Sequence, residues 1–186
     1  VYSFCMCPGG FVVPAASGWA QVREAQRRVA AEDARSGLAI AIDIGDAYDI
    51  HPPNKQELGR RLARVARHVV YGKQDVAPSG PRAVTAVRTP AGVAIAFEDV
   101  EGVLTATGAL RPIGFELCGT RGDSGHCAYG DAELDGRRIL LRGPLSTHAT
   151  HVRYCWADGP VCTLRDRSGA PVGPFELPIA EAETRR

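Results

Sequence analysis

From Pro78 onward the chain is cut by glycine and proline turns into short β-like runs: Ala83–Thr89, Val93–Glu98, Val103–Thr107, Gly114–Cys118, Arg138–Arg142 and His151–Trp156. With no helical stretch between them, such runs have few architectures open to them, because each must pair along its edges and bury a face. Pro90-Ala91-Gly92 separates the first two runs, and Asp135-Gly136 marks a further hairpin. Val93, Ile95 and Phe97 alternate with Ala94 and Ala96, as in a strand with one covered face. The expectation for this part is a β-sandwich of roughly 100 residues.

The first third has a different texture. Ser17 can cap a helix beginning near Trp19, whose apolar stripe is Trp19, Val22, Ala25 (or Gln26) and Val29. Leu38–Ile44 is apolar at nearly every position, which predicts a parallel strand covered on both sides. After a loop, Asn54 and Glu57 form a capping-box pattern ahead of a second helix with a stripe of Leu58, Leu62, Val65, Ala66 and Val69, stopped at Gly72. Helix, buried strand, loop and helix make half of a doubly wound α/β sheet. The expected division is residues 1–77 in the α/β part, 78–179 in the β part and 180–186 as a solvated tail.

Charge narrows the function classes. The 22 basic and 21 acidic residues leave a net charge of +1, without the basic surplus that a nucleic-acid binder uses to neutralise phosphates. No apolar run approaches the roughly 20 residues that span a bilayer. The opening Val1-Tyr2-Ser3-Phe4-Cys5-Met6-Cys7 carries no signal-peptide pattern and reads like the middle of a strand, so an upstream segment is expected. Cys118 and Cys127 flank one short loop, and Cys155 and Cys162 another. Closed as disulfides they imply a periplasmic or secreted protein; buried thiols are the alternative reading. Zinc at Cys5-x-Cys7 lacks a second pair at ligand spacing.

The chemistry concentrates in the loop Asp43-Ile44-Gly45-Asp46-Ala47-Tyr48-Asp49-Ile50-His51-Pro52, which follows the expected strand where open α/β sheets place their ligands. A histidine beside an aspartate can act as general base, with the carboxylate fixing its tautomer. The bland reading makes Asp43 and Asp46 backbone caps and His51 a surface residue.

Three blocks resemble the sialate O-acetylesterase family, carbohydrate esterases of the SGNH hydrolase type. They are Gly18-Trp19-Ala20-Gln21-Val22-Arg23-Glu24-Ala25-Gln26; Ala41–Asp46 running into Asp49-Ile50-His51-Pro52 and Asn54-Lys55-Gln56; and Val152–Asp158 continuing to Gly169-Ala170-Pro171 and Pro174-Phe175. The likeness runs from about Gly18 to Phe175 and departs most at Cys118–Ala128. It implies the C-terminal part of a flavodoxin-like SGNH domain followed by the β-sandwich, with no cofactor or metal. The implied substrate is O-acetylated sialic acid or a related acetylated sugar, acetylated xylan among them. In that family a serine attacks the acetyl carbonyl and a histidine takes its proton. The histidine block maps onto His51. Asp49 is the first choice to orient it and Asp46 the second, because the position three before the histidine is Tyr48. A Gly-Gln-Ser-Asn-like nucleophile block has no counterpart at Ser3, Ser17, Ser36, Ser79, Ser124, Ser146 or Ser168, so the serine is expected upstream. The competing class is a non-catalytic carbohydrate-binding or structural β module.

Other features carry less. Gly122-Asp123-Ser124-Gly125 is similar to a serine-protease nucleophile segment but runs into His126, and Arg121-Gly122-Asp123 is too short to be more than a polar turn. His148 and His151, if on one strand, face opposite sides. Trp156 suits the core better than a sugar-stacking surface.

Overall fold

The computed structural model describes residues 14, 16–46, 49, 51–75, 77–119 and 127–182. Cys5, Cys7 and the segment 121–126, with its protease-like and Arg-Gly-Asp motifs, lie outside the described residues.

Helix α1 spans Gly18–Glu32, and the Ser17 hydroxyl caps it by accepting from the Ala20 N–H at 3.0 Å. Helix α2 spans Lys55–Val69, and Asn54 accepts from the Glu57 N–H at 3.3 Å. The Glu57 carboxylate does not reach back to close the box; it takes Arg61 Nε at 3.0 Å one turn on. Gly72 stands just beyond α2 at φ +65°, the left-handed stop that glycine adopts without strain. No helix among the described residues is long and apolar enough to cross a membrane.

Two expectations in this region are corrected. Leu38–Ile44 is not a strand: it runs as irregular backbone, since a parallel strand exists only where neighbours complete its ladder. Its contacts are with α2 and the β part instead; Leu38 O accepts from the Ser79 hydroxyl, and Ile40 O from Arg61 Nη1 at 2.8 Å. The α1 stripe is also turned outward. Trp19, Val22 and Val29 are 43%, 45% and 58% exposed, while Ala20, Arg23 and Glu24 are buried. In α2, Val65 is buried but Leu62 is 52% exposed.

Among the described residues the β part holds ten strands: β1 (Arg82–Thr89), β2 (Gly92–Glu98), β3 (Leu104–Ala106), β4 (Phe115–Cys118), β5 (Cys127–Tyr129), β6 (Asp131–Asp135), β7 (Arg138–Arg142), β8 (His151–Tyr154), β9 (Leu164–Asp166) and β10 (Phe175–Glu181). Eight form one continuous sheet in the order β5-β4-β8-β10-β1-β2-β7-β6, and β3 pairs with β9. The fold is thus mixed α/β with a large β-sheet. Among these strands β1 and β10 run parallel and the other ladders are antiparallel. The edge strands β5 and β6 are joined by Gly130 alone, so the sheet must curl until its edges nearly meet, consecutive Cα atoms being about 3.8 Å apart. Within the curl lie Val93, Ile95, Phe115, Leu117, Ile139, Leu141, Val152, Tyr154 and Phe175, each 1% exposed or less. Phe115 and Tyr154 hold their ring centroids 4.7 Å apart, and the Tyr154 hydroxyl accepts from the Leu164 N–H at 2.9 Å, which satisfies a buried phenol. Ala180 and Glu181, expected in the tail, are the last residues of β10 and pair with Val87 and Arg88.

The β1–β2 turn gives a direct test of this packing. Gly92 sits at φ +139°, and a Cβ there would stand 2.5 Å from Leu141 O. Gly92→Ala is expected to cost about 2 kcal/mol, combining strained φ with a backbone clash, read from the urea midpoint. An unchanged midpoint would show that the β2–β7 ladder yields freely.

Candidate functional site

Asp43, Asp46, Asp49 and His51 occupy the approach to α2, and the structure gives them separate tasks. Asp43 is an anchor: its carboxylate is 6% exposed, takes Arg61 through both oxygens at 2.5 and 3.0 Å, and meets Arg165 Nη1 at 2.8 Å. Burial pushes this carboxyl up, but the hydrogen bonds and charges of Arg61 and Arg165 outweigh it and hold it below the usual carboxylate range. Arg61 belongs to α2 and Arg165 to β9, so the root of the loop is tied to both halves of the chain. Asp46 caps backbone, accepting from the Asp49 N–H at 3.2 Å.

Asp49 and His51 lie side by side in the loop. The Asp49 carboxylate accepts from the His51 N–H at 2.8 Å and stands 3.2 Å from His51 Nδ1. The backbone bond from His51, with its side chain adding to it, lowers the Asp49 pKa. Both side chains are open, His51 at 87% exposure and Asp49 at 57%. With Nδ1 engaged by the carboxylate, Nε2 is the nitrogen that faces outward chemistry.

A second charged cluster, which sequence reasoning missed, lies on the sheet face opposite the core. Tyr129, Glu116, Arg153 and Glu176 are register partners across β5, β4, β8 and β10. Glu116, Arg153 and Glu176 are 2%, 2% and 6% exposed. Arg153 Nε is 3.8 Å from Glu176, Nη1 reaches Cys127 Sγ at 3.4 Å, and its guanidinium lies 4.5 Å over the Trp156 ring. The buried face of α1 is polar because it meets this row. Glu24 accepts from the Glu176 N–H at 3.3 Å and also pairs with Arg27 and Arg28, each at 2.7 Å. Arg23 donates to Ala157 O and Asp158 O at 2.9 and 2.7 Å, and burial brings its pKa down to about 10 against the pull of Asp158. Burial likewise raises the Glu116 pKa to about 7, with the Arg153 charge opposing. Alternation along each strand marks these residues as off the core face, but the row crosses four strands distant in sequence and has no local signature.

Both expected disulfides are formed, Cys118–Cys127 and Cys155–Cys162. The donor atoms of Glu116, Cys118 and Cys127 lie within 4.8 Å of one another, but the sulfurs are joined in the first disulfide and offer no thiolate to a metal. His151 lies on β8 beside the Thr150 hydroxyl at 2.9 Å, and His148 lies in the preceding turn, not on the same strand. Trp156 is 5% exposed, in keeping with a packed side chain.

A family model described as "FAD-dependent protein, C-terminal domain-like" matches residues 1–80. That segment has no Gly-x-Gly-x-x-Gly, and none of its described residues lies in a strand that could deliver one. The α1 N-terminus is taken by Ser17, whose hydroxyl donates to the Asp158 carboxylate at 2.5 Å, where a dinucleotide pyrophosphate would bring further negative charge. These residues do not fit a flavin dinucleotide. No curated protein matches the chain. The chain is similar to the crystal structure of a carbohydrate acetylesterase from Xanthomonas citri, with 32% sequence identity and a TM-score of 0.79. That match covers 95% of this chain, and so takes in most of the segment matched by the family model. It spans 39% of the length of the Xanthomonas chain.

Proposed function

We propose that this chain is the C-terminal part of an SGNH-type carbohydrate esterase that removes O-acetyl groups from sialic acid or a related acetylated sugar. Residues 1–77 belong to its catalytic α/β domain and 78–179 to an accompanying β domain. The observation that carries the reading is the Asp49–His51 pair, with Asp49 3.2 Å from Nδ1 on a loop rooted by Asp43. The similarity to a carbohydrate acetylesterase over 95% of the chain supports it.

In this mechanism a serine from outside these residues attacks the acetyl carbon while His51 Nε2 takes its proton. The negative charge then built on the carbonyl oxygen needs donors aimed at it. His51 returns the proton to the departing sugar oxygen, and water hydrolyses the acetyl-serine by the same base. Asp49 keeps the proton of the neutral ring on Nδ1 and stabilises the imidazolium. A base 87% exposed is poorly placed to work alone, so the wall that excludes water is assigned to the segment bearing the serine.

The test is acetate release from O-acetylated sialic acid and from acetylated xylan by the longer polypeptide containing these residues. His51→Ala is expected to lower kcat/KM by about a hundredfold or more, the range of a general base. The 186-residue chain alone is expected to show no turnover. Unchanged release by the variant, or turnover by the isolated chain, would sink the assignment.

A further inference from the structure

Helix α2 is strongly basic, and no step of the proposed reaction uses its charge. It carries Lys55, Arg60, Arg61, Arg64 and Arg67 against a single acid, Glu57. Arg64 stands one turn on from Arg60 and Arg61, so the three share a face of the helix. They line a cleft of about 240 Å³ between α2 and the turn that follows β9, where Ser168 and Ala170 form the opposite wall. These groups offer surface to a ligand: the Arg60 side chain is 65% exposed, Arg61 16%, Arg64 is half-buried and Ser168 is exposed.

The charges of the cleft are not balanced. Arg61 is taken by Asp43 and by Glu57 at 3.0 Å, while Arg60 reaches Glu57 only at 3.5 Å. Arg64 has neither an ion pair nor a hydrogen bond among the described residues. Three guanidiniums therefore face one carboxylate, Glu57, which is already engaged by two of them. A cation would be repelled, and a wholly apolar guest would cover Arg64 without pairing it. An anion fits, because a guanidinium fork matches a carboxylate through two parallel N–H bonds. The cleft falls somewhat below the roughly 300 Å³ at which pockets for drug-sized ligands begin, a volume suited to a single sugar unit. Half-buried Pro78 and Ala170 give the ring small apolar contacts. Through Arg61 the cleft also adjoins the Asp43 anchor of the His51 loop.

We propose that this cleft is a subsite for an acidic sugar unit, whose carboxylate is held by Arg64 with Arg60 closing on it from the preceding turn. The choice of a sugar among small anions rests on the carbohydrate reading above. A sialic acid and the uronic acid of a decorated xylan both present this carboxylate, and the two are separated by titration.

The methyl glycosides of N-acetylneuraminic acid and of glucuronic acid carry no O-acetyl group, so their binding is independent of hydrolysis. Titrated into the 186-residue chain and followed through the Gly169 and Ala170 amide signals by NMR, at least one is expected to bind saturably. The tighter of the two names the source. Methyl xyloside, which has no carboxylate, is expected not to saturate. Arg64→Ala is expected to weaken binding by about tenfold or more, and Arg64→Lys, which keeps the charge but not the fork, by about threefold. Ser168→Glu, at an exposed position across the cleft, is expected to occupy the arginines and block the site, and it decides the matter if Arg64→Ala fails to fold. The proposal is overturned if neither acid binds, if binding survives Ser168→Glu or a folded Arg64→Ala, or if methyl xyloside or inorganic phosphate binds as tightly as the better acid. It is equally overturned if the chain binds phosphatidylserine vesicles through Arg64, which would make α2 a lipid-facing helix. Failure of the longer protein to release acetate, with acid-sugar binding intact, would sink the esterase reading alone.

Discussion

Asp43→Ala is expected to destabilise the protein by about 3 to 5 kcal/mol, because it strips the anion from two largely buried arginines. Arg61 and Arg165 are 16% and 23% exposed in their side chains, and both point at a carboxylate that is 6% exposed. With Asp43 gone, Arg61 keeps Glu57 and Ile40 O, while Arg165 keeps the Gly169 carbonyl. Urea unfolding of the variant measures the loss. Asp43→Asn keeps the shape and two acceptor lone pairs but not the charge, so it is expected to fall between alanine and wild type. The linkage has a definite sign. A carboxylate held below its ordinary value of 3.8 adds stability above that pH and loses it as the pH falls through the folded pKa. The wild-type advantage over Asp43→Asn should therefore fade in strong acid. A loss under about 0.5 kcal/mol in Asp43→Ala would show that the loop root is held by other contacts.

Glu116→Gln is expected to act in the opposite direction and to depend on pH in the opposite sense. Burial raises the Glu116 carboxyl to about 7, so folding favours its protonated form. That contribution is complete below the unfolded value of 4.5 and is lost as the pH rises through about 7. Glutamine does not titrate. The stability of Glu116→Gln relative to wild type should thus grow by about 3 kcal/mol between pH 4.5 and pH 8, at about 1.4 kcal/mol per pKa unit. Denaturation at the two pH values reads this directly, and an unchanged difference would mean that Arg153 keeps Glu116 ionised throughout. Tyr129 provides a local check. Its pKa is raised by burial and then by the Glu116 charge, so removing that charge should bring its phenol back toward its usual range.

What could be read from the residues was local. Ser17 and Asn54 announce their helices because a cap is a bond between neighbours a few positions apart, and the Asp135-Gly136 turn does the same for β6 and β7. Val93, Ile95 and Phe97 gave away the covered face of β2 because a strand repeats every two residues. Periodicity failed on α1 for a physical reason: it shows which residues share a face, not which face finds a partner. Trp19, Val22 and Val29 do share one, yet the sheet met the other side, where Arg23 and Glu24 answer the Arg153 row. β10 was missed because Pro178 disguises it, although it still pairs with β8 at His151. Of the site, the Asp49–His51 pair was legible as two residues of one loop. The use of Asp43 as an anchor was not, since Arg165 lies far away in sequence.

The position of β10 bears on how the molecule comes into being. It is the last of the ten strands to be synthesised, yet it lies between β8 and β1 near the middle of the ladder. Before Phe175–Glu181 leaves the ribosome, the eight-stranded sheet can stand only as two ribbons, β6-β7-β2-β1 and β5-β4-β8, each with a raw edge where β10 belongs. Closure of the sheet therefore waits for β10. A ribosome stalled before Phe175 would hold two strand edges open to whatever polypeptide passes, and the growing chain is most in need of a chaperone at that stage.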